Sequence, residues 1–185
     1  MADWYGRIEP EHRAFIEAQH LFFVATAPDD PAGDVNLSPK GRTLLRVLNP
    51  NLVGYLDYPG SGNETAKHIA GNDRITLMLC SFDATARILR LYGKGRRVDL
   101  DAPELSEYRS AFIDDFHPFV RQAFFVDVEK VQTSCGYAVP RMEFVSERDT
   151  LDRWCENKVE PRLMVDGVPQ VGRLTRKDGQ LVAER

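Results

Sequence analysis

The chain is poor in the residues that build several common sites. It has 3 cysteines in 185 residues (Cys80, Cys135 and Cys155), an odd, widely spaced set with no Cys-x-x-Cys pair. Its four histidines, His12, His20, His68 and His117, have no partner at metal-ligand spacing, so no structural zinc site is expected. Reduced thiols of a cytosolic protein fit this usage. No apolar run nears the ~20 residues that cross a bilayer. Met1 to Arg7 lacks the apolar stretch of a signal peptide, and the cytoplasm is the expected location. Positive charge is in deficit too. With 24 Lys and Arg against 28 Asp and Glu, the net charge of -4 argues against nucleic-acid binding driven by global charge, although local basic stripes remain open. Repeats and low-complexity tracts are missing. A hydrophobic fraction of 43% suits a globular chain. This length allows one domain over 1–185, burying roughly 70% of its extended surface.

What is present reads as strands with a few short helices. Pro10 suits a first helical turn followed by Phe15, Ile16 and Gln19, and Leu21 to Ala27 reads as a buried strand. A loop from Pro28 to Asp34 leads to a strand near Val35 to Ser38. Strands at Leu44 to Asn49 and Leu52 to Tyr58 are split by a turn at Pro50-Asn51. Ser61 and Glu64 form a capping box for a helix with an inward stripe of Ala66, Ile69 and Ala70, stopped by Gly71-Asn72. Long strands follow at Arg74 to Phe82, apolar on both faces, and Arg87 to Val98. A helix from Asp101 presents Leu105, Tyr108 and Phe112, and a strand from Ala123 to Val131 presents Phe124, Val126 and Val128. A last helix starts at Ser146 and buries Leu151, Trp154 and Cys155; Asp166-Gly167 and Asp178-Gly179 signal turns. About seven strands without regular βα alternation predict an α+β barrel, with a doubly wound α/β sheet as the alternative.

Four segments carry candidate chemistry. In Tyr58-Pro59-Gly60-Ser61-Gly62-Asn63-Glu64-Thr65-Ala66-Lys67-His68 a strand ends in a Gly-rich turn and a helix begins. Free N–H groups and the positive end of the helix dipole would meet a phosphate there. Asn63 and Lys67 share a helix face, with Thr65 and His68 nearby; a plain capped helix is the alternative. The third glycine of a dinucleotide fingerprint is Thr65 here, and the Gly-Lys-Ser/Thr of a Walker loop is absent. On the second segment, strand alternation puts Ile88, Arg90, Tyr92, Lys94 and Arg96 on one face. They form a solvated face or a basic wall beside an anion, while Gly93 and Gly95 allow a bend. Third, Asn36-Leu37-Ser38-Pro39-Lys40-Gly41 packs polar groups into a strand end, and Pro39 should make it bulge or stop. Last, Ser134-Cys135-Gly136-Tyr137-Ala138-Val139-Pro140 joins a thiol and a phenol that could line a pocket, with no adjacent histidine to activate Cys135.

Three of these segments, beginning at positions 36, 58 and 134, together resemble the FMN-binding proteins related to pyridoxamine 5'-phosphate oxidase. The resemblance spans roughly Leu21 to Val139, and Arg87 to Gly95 looks like the strand that follows the helix in that family. It implies an FMN-binding split β-barrel homodimer with two flavins held in clefts between subunits. Ser38 and Lys40 would border the flavin, Asn63, Thr65 and Lys67 would hold its phosphate, and Arg90 could support it from the neighbouring strand. Cys135 and Tyr137 would lie near the flavin or the dimer seam. There are departures. Val35-Asn36-Leu37-Ser38 replaces the arginine-rich strand of the true oxidase, and Glu64-Thr65 replaces its arginine-lysine pair. The closing residues Leu181 to Arg185 do not resemble its C-terminus, which speaks against pyridoxamine phosphate oxidation.

The functional expectation is an FMN-dependent oxidoreductase acting on an unidentified small molecule, with the flavin supplying the redox chemistry. The alternatives are a flavin-binding or sensing protein without turnover, and a split barrel that takes a deazaflavin or haem. Lys94, Arg96 and Arg97 could supply the longer basic groove a deazaflavin tail needs.

Overall fold

The computed structural model describes residues 2–42, 44–60, 62–170 and 172–182. Eight strands pair antiparallel in one sheet: β1 (Asp3–Tyr5), β2 (Phe22–Thr26), β3 (Asn36–Lys40), β4 (Arg46–Asn49), β5 (Leu52–Asp57), β6 (Arg74–Cys80), β7 (Arg87–Val98) and β8 (Gln122–Cys135). The order is β3-β2-β6-β7-β8-β5-β4, with β1 beside the end of β8. An all-antiparallel sheet excludes the doubly wound alternative. One buried cluster contains Val24 of β2, next to one end of that order, and Val47 of β4, at the other end. The sheet therefore curls around a shared core, as an α+β split barrel does. The helices are α1 (Pro10–Glu17), α2 (Glu64–Asn72), α3 (Pro103–Glu107) and α4 (Thr150–Lys158). A short hairpin of β9 (Met164–Val165) and β10 (Val168–Pro169) lies apart from the main sheet.

Strand alternation sorts the core. On β5, Val53 and Tyr55 enter the barrel, while Leu52 and Leu56 pack beneath α3 with Leu105, Phe112 and Phe125. β5 is thus buried on both faces, as is the first half of β8. On β6, Ile75, Leu77 and Leu79 point inward, but Met78 on the other face is half-buried.

The register slips between Tyr92 and Gly93, where β8 gains a residue at Glu129. The bulge changes which residues of β8 face inward, from Val126 and Val128 to Val131. A Cβ on Gly93 would stand 2.0 Å from the Asp127 carbonyl oxygen, so glycine is required by close backbone approach.

Several expectations are corrected. Pro39 neither bulges nor stops its strand, because β3 lies at the end of the sheet order and an edge strand tolerates a missing donor. Helix α2 begins at Glu64 behind Asn63; Ser61 lies outside the described residues, and Glu64 occupies the first helical position, not the third of a capping box. Its inward stripe is Thr65 and Ile69, four apart, with Ala66 beside them, while Ala70 is exposed. Helix α4 begins at Thr150, four residues after the expected start, behind Asp149. Leu151 and Cys155, four apart, turn inward, which leaves Trp154 on the exposed side.

Candidate functional site

β3 carries Asn36, Ser38 and Lys40 on the face that looks into the barrel. Their cross-strand partners are Thr26, Val24 and Phe22, all buried. Both ends of this row are tied toward the start of α2. At one end, Asn36 Nδ2 donates to Thr65 Oγ1 at 3.3 Å, and Thr26 Oγ1 meets His68 Nδ1 at 3.0 Å. At the other end, Lys40 Nζ lies 3.5 Å from Asp57 Oδ1. Ser38 stands between them, and its Oγ is buried with no partner among the described residues.

Asp57 is buried at the end of β5 and anchors the rest of the cluster. Its Oδ2 accepts hydrogen bonds from Arg121 Nε and Nη2, at 3.1 and 2.7 Å, and from Gln122 Nε2 at 2.9 Å. Gln122 Nε2 also lies 2.9 Å from Asn63 Oδ1, and Arg121 Nη1 donates to the Gly62 carbonyl at 3.3 Å. A charged network thereby fixes the turn that launches α2. Asn63 occupies the N-cap position, yet its side chain makes no capping bond. The first N–H groups of α2 therefore keep their donors and the positive end of the helix dipole. A hydroxyl without a partner, an ammonium and an uncapped helix start are groups suited to an anion.

Among the described residues, the other sequence candidates make no hydrogen-bonded contact with this cluster through their side chains. Lys67 is on the exposed side of α2. Arg90 pairs with Met78 and Gln132 and donates to Ser134 Oγ at 3.1 Å. Its row is on the opposite face of the sheet from Ser38, whose row runs through Val24, Leu77 and Leu91. Cys135 ends β8, thirteen residues beyond Gln122, which is about 40 Å along an extended strand. Cys135 is exposed, and so is Tyr137, at 86%.

The family model described as pyridoxamine 5'-phosphate oxidase matches residues 8–135. The chain belongs to the pyridoxamine 5'-phosphate oxidase family. A similar curated relative from Aspergillus flavus, the pyridoxamine 5'-phosphate oxidase family protein ustO, is 36% identical over 152 residues, covering 81% of this chain. The aligned part makes up 61% of that relative, so the chain spans about three fifths of its length. Among solved structures, HupZ of Group A Streptococcus is similar in fold. The crystal structure of a single-site variant matches with a TM-score of 0.54 at 19% identity, covering 69% of this chain and 99% of that one. Another matches with a TM-score of 0.52 at 21% identity, covering 67% and 91%.

Within this family member, Asp57, Arg121 and Gln122 are cluster residues that sequence reasoning missed. A signal existed. An aspartate closing the apolar run of β5, and an Arg-Gln pair opening the apolar run of β8, put charge where strands are otherwise buried.

Proposed function

We propose that the chain binds FMN by its phosphate at the start of α2 and works as an oxidoreductase on a small molecule. The buried Ser38 hydroxyl, without a partner between two residues tied toward α2, is the observation that carries this reading. Ser38, Lys40, Asn63 and Thr65 hold the phosphate, and the N–H groups of the first turn add to them. Lys67 contributes long-range charge from the exposed side. The bound flavin would supply the electron chemistry, while the protein supplies position and charge.

Two copies pair through the outer sheet face, where Trp4 stacks on Tyr92 at 5.8 Å and Leu37 is 64% exposed. Apolar surface of this kind supports an interaction face. Arg90, Cys135 and Tyr137, remote from α2 in their own chain, then serve the flavin held by the other copy.

An absorption spectrum followed by FMN titration tests the reading. Lys40→Ala should weaken FMN binding by about 1.5–3 kcal/mol, the worth of a charge-assisted hydrogen bond. Lys67→Ala should weaken it less. A protein that ignores FMN, or shows a haem band, overturns the proposal.

A further inference from the structure

Arg162 and Arg173 lie beyond the residues that the family model matches, on a C-terminal layer folded back against the start of β8. Arg162 N–H donates to the Pro118 carbonyl at 3.2 Å, Val159 pairs with Arg176, and Val182 N–H donates to the Leu174 carbonyl at 2.9 Å. Between this layer and the sheet is a cleft of about 350 Å³. It is lined by Arg97, Arg121, Arg162 and Arg173, together with Asp99 and Asp101.

Two of these cations have carboxylate partners. Arg97 pairs with Asp99 at 3.3 Å, and Arg121 pairs with Asp57. Arg162 differs. Half-buried, it donates from Nη1 to the Val120 carbonyl at 2.5 Å and from Nη2 to the Gly172 carbonyl at 2.6 Å. Its Nε is buried and has no partner among the described residues. Carbonyls satisfy N–H groups but bring no countercharge, and burial lowers the Arg162 pKa accordingly. A guanidinium in that state gains from a neighbouring anion. Asn63 and Gln122 line the cleft as well, so it opens onto the first turn of α2.

We propose that this cleft is a second anion site, taking a phosphate or carboxylate group through Arg97, Arg162 and Arg173. Its place beside a flavin rests on the function proposed above; its affinity for an anion does not. The anion has two possible sources: the second phosphate of a dinucleotide flavin, or the acid group of a separate substrate.

Calorimetric titration of the full chain with inorganic pyrophosphate, with and without saturating FMN, tests this. The variant Arg97→Gln/Arg173→Gln changes two exposed side chains and leaves the bonds of Arg162 in place. Arg173→Gln alone serves if the pair does not fold. The FMN-loaded chain should bind pyrophosphate, and the variant at least tenfold more weakly, with its FMN affinity unchanged within twofold. FAD binding tenfold tighter than FMN, with the gain lost in the variant, assigns the anion to a dinucleotide. Equal FAD and FMN affinities assign it to a separate substrate. If pyrophosphate ignores the FMN-loaded chain, or binds the variant equally well, the cleft is not an anion site. If FMN does not bind while pyrophosphate binds and depends on Arg97 and Arg173, the flavin reading fails and the cleft stands.

Discussion

Arg121 holds a single oxygen of Asp57 with two nitrogens, Nε at 3.1 Å and Nη2 at 2.7 Å, and both side chains are largely withdrawn from solvent. Asparagine at position 57 would keep the shape and remove the countercharge. Breaking a buried pair from one side leaves an uncompensated charge, so Asp57→Asn should cost about 3 kcal/mol in urea unfolding. FMN affinity should fall with it, because the same carboxylate organises Lys40 and the turn before α2. A variant as stable as the parent would remove Asp57 from its anchoring role.

Gly93 faces the bulge in β8, where an added Cβ would meet backbone and not a side chain that can swing away. Gly93→Ala should cost about 1–3 kcal/mol, the usual range for overpacking. Gly60→Ala, with open space around it, is the control and should change stability little. Comparing the two unfolding midpoints checks this.

His12 is buried, and its Nδ1 accepts a hydrogen bond from the Glu9 N–H at 3.1 Å. That acceptor must be unprotonated. Burial is the main reason its pKa lies below the usual imidazole value, with Arg87 adding to the effect and Glu11 and Glu9 opposing it. The unfolded chain therefore takes up the proton first as pH falls. The stabilisation is complete above the unfolded pKa of about 6.5 and is lost as pH drops through the lower folded value. The Tm should hold between pH 8 and 7 and then fall toward pH 5. His12→Gln should flatten that fall, and His117, lowered mainly by burial, should account for part of what remains. An unchanged slope would exclude His12.

The three thiols should separate by accessibility. Cys135 is exposed, whereas Cys80 and Cys155 are buried and burial raises both, Cys155 to about 11. An aromatic disulfide reagent at pH 8 should label one thiol quickly in the native protein and the other two only on unfolding. Cys135→Ser should abolish the fast phase. Rapid labelling at Cys155 would contradict the packing of α4 against its neighbours, and at Cys80 the burial of the end of β6.

The local part of this architecture was legible because alternation and spacing carry it. Leu89 and Leu91 follow the two-residue repeat of β7, and Leu151 and Cys155 the four-residue spacing of α4. The three-residue β1 has no such repeat and exists only because the far end of β8 offers it a partner. The start of α4 and the outward turn of Trp154 likewise depend on which side of the helix finds a core.

For the candidate site the division is sharper. The sequence by itself determined the family and the polar inventory, namely Asn36, Ser38 and Lys40 on one strand and Asn63 and Thr65 at a helix start, since residue type and order encode both. Only the tertiary structure decided that Asp57 of β5 and Arg121-Gln122 at the start of β8 close that cluster. It also decided that Arg90 and Ser38 lie on opposite faces of the sheet. Those relationships join positions up to 65 residues apart through pairing register, and a one-residue change in register moves a side chain to the other face of a sheet.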